Sequence, residues 1–448
     1  MHQCVIRVTA RRFALLCCTS LCLGTAHAAP PLSFAELPAV FDLPLAYRLA
    51  LAHDRGYAVA QAQAAAAQEA LPQALARQRP SIGYSSSRTR ISQQRRDENL
   101  SYAPQTYLSQ SDTLQLKQPI YNRRLDATED QARASLAGVD ASLQAERQAL
   151  GVKVAQAYYN LLLAQSREDL IRVQLHSLGT RLDGAQKAFA AGTGIRTDVD
   201  ELRAQLDLLN AQALGARQAI ANARTDLEVL VGVPFVRVAP VQPAQFAPQR
   251  VQPGELRDWS DRAMAESAEV RARQAQLESA EAALRATQAD HLPTLDLVAQ
   301  LSRSSSDNSF FVNSVTQNKA VGVQLNVPIY QGGYLSSRDR QAAANVEEAR
   351  AQLERVRNGI RVDVLKAHSA VREGLERIAA LEKAVASAAQ VVLASQQSFK
   401  AGLRTTLDIV AAEQREAQAR LDLSEAQLSL LAAWAKLKSL VGEVETAL

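Results

Sequence analysis

The chain states one pattern twice, and this constrains its fold more than anything else in it. Gln118-Pro119-Ile120-Tyr121 returns as Val327-Pro328-Ile329-Tyr330, 209 residues later. Phe189-Ala190-Ala191-Gly192 returns as Phe399-Lys400-Ala401-Gly402, and Leu230-Val231-Gly232 as Leu440-Val441-Gly442, both 210 residues later. Further upstream, Gln61-Ala62-Gln63 maps to Gln274-Ala275-Gln276 and Pro80 to Pro293, both 213 residues later. A register that drifts so little describes the duplication of one long unit, not a short solenoid repeat.

The first 28 residues read as a secretory leader. Arg7, Arg11 and Arg12 form a basic start, Phe13 to Leu23 a short apolar core, and Ala26-His27-Ala28 a cleavage site. That core is too short to span a bilayer. Cys4, Cys17, Cys18 and Cys22 all lie inside the leader, so the mature chain is expected to use neither disulfide nor thiol chemistry. Thr19-Ser20-Leu21 before Cys22 fits a lipidation site poorly. Removing three arginines and no acids takes the formal charge from +4 to +1. A nearly neutral chain is a poor partner for nucleic acid, whose binding depends on neutralising many phosphates.

Two textures alternate after the leader. Residues 123–187 lack proline and place apolar side chains at threes and fours: Leu143, Leu150, Val154, Ala157, Leu161. Residues 197–231, 336–398 and 407–440 read the same way. Small-residue, aromatic-poor helices of that length lie along one another like coiled coils. Four short stretches instead alternate apolar and polar with period two, at about 81–92, 108–118, 293–302 and 320–328. Polar stretches at 90–107 and 303–319 join them in pairs. The organisation expected is a leader (1–28), a first repeat (29–232), a proline-rich linker (233–258) and a second repeat (259–448). The linker should pack irregularly beside the helices, with the chain termini.

The strands have one greasy and one polar face, and no uninterrupted run of 18 apolar residues follows the leader. Leu114, Leu116, Val321, Val323 and Leu325 are expected to face lipid, with Gln115, Lys117, Gln324 and Asn326 facing water. Surface hairpins on a helical protein would also explain four strands, but would leave those apolar stripes without a partner. Four strands cannot close a membrane barrel, two copies would supply eight and three would supply twelve. Open sheet edges are not tolerated in lipid, so oligomerisation follows.

At this point the chain resembles the TolC-type outer-membrane channel-tunnel proteins of Gram-negative bacteria. The resemblance covers essentially the whole mature chain. It is carried by His291-Leu292-Pro293-Thr294-Leu295-Asp296-Leu297 before the third strand and by Pro328-Ile329-Tyr330-Gln331-Gly332-Gly333 after the fourth. The matching Pro119, the paired turns at Gly192 and Gly402, and the duplication itself add to it. It implies a mostly α protein with a β-barrel: a homotrimer whose twelve-stranded barrel in outer-membrane lipid continues as an α-helical barrel through the periplasm. It implies docking to a periplasmic adaptor (membrane-fusion) protein and an inner-membrane ABC or proton-driven transporter. In proteins similar to this one, polar links and a carboxylate ring close the periplasmic tip. Arg404 matches the linking arginine, Thr197 and Asp198 its partners, and Asp408 the first ring carboxylate. Ala411 stands where the second carboxylate is expected, and Phe399 where a tyrosine is expected.

A plainer reading also covers these positions. Thr405 and Thr197 can each be an N-cap threonine with an acid three residues on, and an acid in a first turn suits the helix dipole. Arg404 then is a solvated surface residue. For Asp408, capping and pore lining are compatible. The four histidines beyond the leader (His53, His176, His291, His368) are scattered, and no phosphate loop, nucleophile motif, metal set or cofactor site is visible. Catalysis is not expected. The function expected is the exit duct of a secretion machine moving protein toxin. The alternative in the same class is multidrug or small-molecule efflux, and from another class a trimeric coiled-coil adhesin or fibre.

Overall fold

The computed structural model describes residues 40–446 apart from 95, 98, 99, 102, 236, 241–250, 252, 309 and 310. The leader expected at 1–28 with its cysteines, and Pro243 and Pro248 of the expected linker, lie outside the described residues. The first repeat runs β1 (Val40–Phe41), α1 (Leu43–His53), α2 (Arg55–Gln68), α3 (Ala70–Ala76), β2 (Ser81–Gln93), β3 (Arg96–Asp97), β4 (Leu100–Ser101), β5 (Gln105–Tyr121), α4 (Arg123–Ala190) and α5 (Arg196–Val231). After β6 (Arg237–Val238) come α6 (Leu256–Glu266), α7 (Ala268–Ala289), β7 (Thr294–Asn308), β8 (Phe311–Asn326), α8 (Tyr334–Lys400) and α9 (Thr406–Leu440). A 3-10 turn, Val444–Thr446, follows.

The 68 residues of α4 make a helix about 100 Å long. It starts where the Asn122 side chain accepts from the Arg124 amide at 3.2 Å. Its first half packs on α2, α3 and α7, and its second half on α5 and α9. In the same way α8 packs first on α6 and α7, then on α9. Close approach depends on small residues. A Cβ at Gly138 would stand 3.3 Å from that of Ala275, and one at Gly374 would stand 3.1 Å from Leu430.

The four long strands form one antiparallel sheet in the order β2-β5-β7-β8. Each continues into a helix: α3 into β2, β5 into α4, α7 into β7, and β8 into α8. The helices beside the sheet therefore follow the same order, α3-α4-α7-α8. An ionic knot holds three of these junctions. Asp290 accepts from Arg124 and from Arg338, each at 2.9 Å, and His291 bonds Asp339 at 2.8 Å. Four of the expected barrel-flanking residues lie here, Pro293 before β7 and Pro328, Gly332 and Gly333 between β8 and α8. The last two glycines take φ of 60° and 83°, which a side chain would oppose. Pro119 sits where the β5–β7 register shifts, since it has no N–H for the ladder.

The strands run well into the polar stretches expected to be connections, to Gln93 and Asn308 on the way out and from Gln105 and Phe311 on the way back. Backbone pairing extends a ladder regardless of side-chain polarity, so serine-rich segments join it once a neighbour is in register. One other departure concerns α8. Among the described residues it is the helix long and apolar enough by composition to cross a membrane. Only an 18-residue stretch of this otherwise charged helix, with at most two charged residues in it, is apolar on average, and no uninterrupted apolar run exists.

A belt around mid-helix fastens the two repeats. β1 pairs in parallel with β6, and Phe41 stacks on Phe235 at 5.1 Å. The Tyr158 hydroxyl is 2.7 Å from the Ala239 carbonyl and 3.1 Å from that of Phe41. Burial pushes the Tyr158 and Tyr159 hydroxyls above their ordinary pKa. The Gln148 amide donates to the Gly442 carbonyl at 2.9 Å and accepts from the Val444 amide at 3.1 Å. Gly151 leaves room for this strap, because a Cβ there would lie 2.9 Å from both Val444 methyls. Gly151→Val should therefore release the C-terminal turn. Hydrogen exchange at the Val444 amide should rise at least tenfold, the equivalent of about 1.4 kcal/mol, while the sheet amides keep their protection.

Candidate functional site

Two features can act on something outside the chain: the two-faced sheet, and the paired turns at the far end of the long helices. The ladder register sorts the sheet's side chains without ambiguity, since paired residues share a face. On one face Ile82, Leu116, Ala299 and Val321 form a row. Tyr84, Leu114 and Leu301 lie on its far side, Leu297 and Val323 on its near side, with Leu295 and Leu325 closer still to the helices. Val321 is 79% exposed and Val323 62%. The opposite face carries Gly83, Gln115 and Gln300 in one row and Ser85, Thr113, Ser302 and Asn318 in the next. Its lysine, Lys117, is neutralised by Asp296 at 2.9 Å. An apolar face this exposed suits lipid, and a face of small uncharged polar groups suits water.

At the other end, α4 and α8 terminate alike. Gly192 and Gly402 take φ of 75° and 74°. Their amides close back on the Phe189 and Phe399 carbonyls at 3.0 and 2.9 Å. Glycine is needed at both because a Cβ opposes this conformation. The duplication places the two turns as equivalents, but their chemistry differs. Thr405 caps α9: its hydroxyl accepts from the Asp408 amide at 3.2 Å, and the Asp408 carboxylate accepts from the Thr405 amide and hydroxyl, both at 2.8 Å. The Thr405 amide, then its hydroxyl, and the charge of Arg404 hold the Asp408 carboxyl below the usual carboxylate range. The threonine reading therefore holds at Thr405 and fails at Thr197. Helix α5 begins at Arg196 with Ile195 as its cap, so Thr197 lies inside the first turn. Isoleucine has no oxygen to offer, and Asp198, the counterpart of Asp408, has no such partner.

Within one chain Arg404 does not reach Asp198: its guanidinium turns back to donate to the Ser395 hydroxyl at 2.7 Å. Ser395 is fully buried on α8. Three further residues escaped the sequence reading. Glu413 of α9 accepts from Ser177 at 2.9 Å and forms a charged hydrogen bond with Arg181, both on α4. Below them Leu178, Leu182, Val199, Leu202 and Val410 form one apolar cluster across α4, α5 and α9. Ser177 and Arg181 share a helix face by their spacing, but no local signal points to an acid more than 200 residues away. Among the described residues no group of acids, histidines or cysteines could hold a metal.

A two-faced sheet, two of whose strands run on into helices about 100 Å long, defines a subunit of an outer-membrane duct with a periplasmic helical tunnel. The chain belongs to the outer membrane efflux protein family, whose model matches residues 46–233 and 259–443. It is 32% identical over 344 residues to the alkaline protease secretion protein AprF of Pseudomonas aeruginosa, covering 76% of this chain and 71% of that one. It is 28% identical over 404 residues to the proteases secretion protein PrtF of Dickeya chrysanthemi, covering 89% and 87%. Among solved structures, the outer membrane protein VceC of Vibrio cholerae superposes with a TM-score of 0.75 at 20% identity, covering 90% of this chain and 96% of that one.

The clamp between α4 and α9 invites a direct test. Glu413→Gln keeps an acceptor but removes the charge from a partly buried pair, and should cost about 1.5–3 kcal/mol. In a double-mutant cycle with Arg181→Gln, thermal unfolding should show the second substitution adding little to the first.

Proposed function

We propose that three copies of this chain close a twelve-stranded barrel and a helical tunnel that conduct unfolded polypeptide out of the cell. The observation that carries this reading is the pair of open edges, β2 and β8, each with a full ladder of backbone groups unmatched inside the chain. β2 and β8 run in opposite directions, so β8 of one copy can meet β2 of the next in an antiparallel pair. The helix layer is open at the matching positions, α2, α3 and α5 on one side and α8 on the other. Leu208, Leu214 and Val229 of α5, and Val391 and Leu393 of α8, expose apolar side chains there that a neighbour would cover. Two copies would supply enough strands for a small barrel, and the family resemblance selects three.

The cargo reading rests on the protease-secretion names of two relatives. Polypeptide suits a lumen lined by Ser, Thr, Gly and Gln, which presents few charges and small side chains. Efflux of small molecules is the second reading, supported by the family's own description. Transport within this chain is passive, with energy from an inner-membrane transporter joined through a periplasmic adaptor. Phe189, Ile195, Phe399 and Leu403, exposed around the two turns, give such a partner apolar ground. In the assembled tip, Arg404 with Thr197 and Asp198 would link neighbouring helix pairs, and three copies of Asp408 would form a weak negative ring.

Single-channel recording in planar bilayers, with mass determination in detergent, tests the duct. A monomer, or a trimer that conducts no ions, overturns it. Val323→Arg should impair assembly by about 2–4 kcal/mol per buried charge, and Gln324→Arg should be tolerated. Equal tolerance would reverse the faces. Secretion of a protease through a reconstituted transporter and adaptor, against export of a dye, separates the two cargo readings.

Asp408 gives the tip a pH signature. A carboxyl held low stays charged to a lower pH than an ordinary one, so cation preference should persist below the usual carboxylate range. It should vanish only as pH falls through the lowered value. Thr405→Val removes the hydroxyl bond and should move that midpoint upward, toward an unperturbed carboxylate.

A further inference from the structure

The apolar face of the sheet is followed, away from the helices, by a cluster of cations that neither the fold nor the duct employs. Along β8 the outward positions 321, 323 and 325 are apolar, and Val327 and Ile329, just past its end, are apolar and exposed as well. Tyr121 and Tyr330 stand exposed at the helix-proximal margin and Tyr84 at the other, the levels aromatic side chains favour. The next outward residue is Lys319, in the row of Tyr84, Leu114 and Leu301. Beyond it the same face carries Arg303, then Arg88, then Arg90. All four cations are exposed. The carboxylate that meets them among the described residues is Asp112, placed opposite Arg303 and Ser86 by the ladders. It is already engaged by the Tyr84 hydroxyl at 2.9 Å. Asp112 stays charged and offsets part of this cluster, since Arg88 and Arg303 both act on it, but cations predominate at the margin of the apolar belt and form a surface complementary to anions anchored at headgroup level.

We infer that Arg88, Arg303 and Lys319, with Arg90 beside them, bind the phosphate groups of a phosphorylated lipid in the outer leaflet. This rests on the barrel reading, which turns the apolar face toward lipid. Arginine forks pair with phosphate oxygens through two donors, and Lys319 can lay its stem along Leu301 and Val321 while its ammonium reaches the headgroup. The lipid's acyl chains would lie on Leu114, Leu301 and Val321. The apolar belt thus runs across all four strands, and the cations above it come from β2, β7 and β8 around Asp112 of β5.

The full-length protein in phosphatidylcholine nanodiscs, doped with bis-phosphorylated lipid A or with its dephosphorylated form, tests this by native mass spectrometry. The wild type should retain the phosphorylated lipid in clear preference. Each removed cation should weaken retention about fivefold, the equivalent of about 1 kcal/mol near a charged surface. Arg88→Ser, Arg303→Ser and Lys319→Ser combined should abolish the preference while the assembled mass stays unchanged. Should that triple variant fail to assemble, Arg303→Gln alone must still lower retention about fivefold. Equal retention of the two lipids, or no loss in the variants, overturns the assignment. So does displacement of the lipid by millimolar inorganic phosphate, which would make the site one for free anion. Conductance is the separate readout of the duct: if the wild type conducts and the triple variant alters that conductance, the arginines face the lumen and the assignment of the apolar face to lipid has failed.

Discussion

A strand at the edge of a sheet leaves half of its backbone amides and carbonyls pointing at nothing, and in lipid that costs several kcal/mol per group. The order β2-β5-β7-β8 creates two such edges, each 13 residues or longer. Everything else is arranged consistently with them. The helices that continue the strands keep the same lateral order, so sheet and helix layer open on the same two sides. A neighbour that satisfies one edge satisfies the other layer in the same contact.

Continuity between the two layers depends on a small set of charges. Asp290 lies between α7 and β7, yet it is held by arginines from α4 and α8 at 2.9 Å each. Its side chain is only 12% exposed, so both arginines meet it in a partly desolvated setting where ion pairs resist screening. The glycines and prolines of the flanking motifs permit the sharp change from extended to helical backbone. The ionic knot fixes the direction in which each helix leaves.

The duplication makes the two turns counterparts, and their caps now differ. Thr405 with Asp408 is a closed hydrogen-bonded box, whereas Ile195 with Asp198 is an open turn. One carboxylate is immobilised and held low in pKa while its counterpart is free to meet another partner. Arg404, standing where the first repeat has Gly194, is anchored by a buried serine instead of by that carboxylate. The tip of a single chain is therefore braced internally by Ser395 and by the α4–α9 clamp.

Local pattern carried the element types. Period-two alternation marked the strands, the long proline-free spacing marked α4 and α8, and the 210-residue offset made Gly192 and Gly402 counterparts, because these signals depend only on neighbours along the chain. The capping box was legible for the same reason: Thr405 and Asp408 are three residues apart. Where the signal was equally local but the residue wrong, as at Thr197, the helix simply began two residues earlier and its cap fell on Ile195. Strand ends at Gln93 and Asn308 were not legible, since a ladder is extended by its neighbour and not by its own polarity. Nor were Glu413 with Arg181, Arg404 with Ser395, or Asp290 between two arginines. Each is a meeting of helices brought together by packing, and the side chains involved look like ordinary solvated polar residues until the tertiary structure removes water from between them.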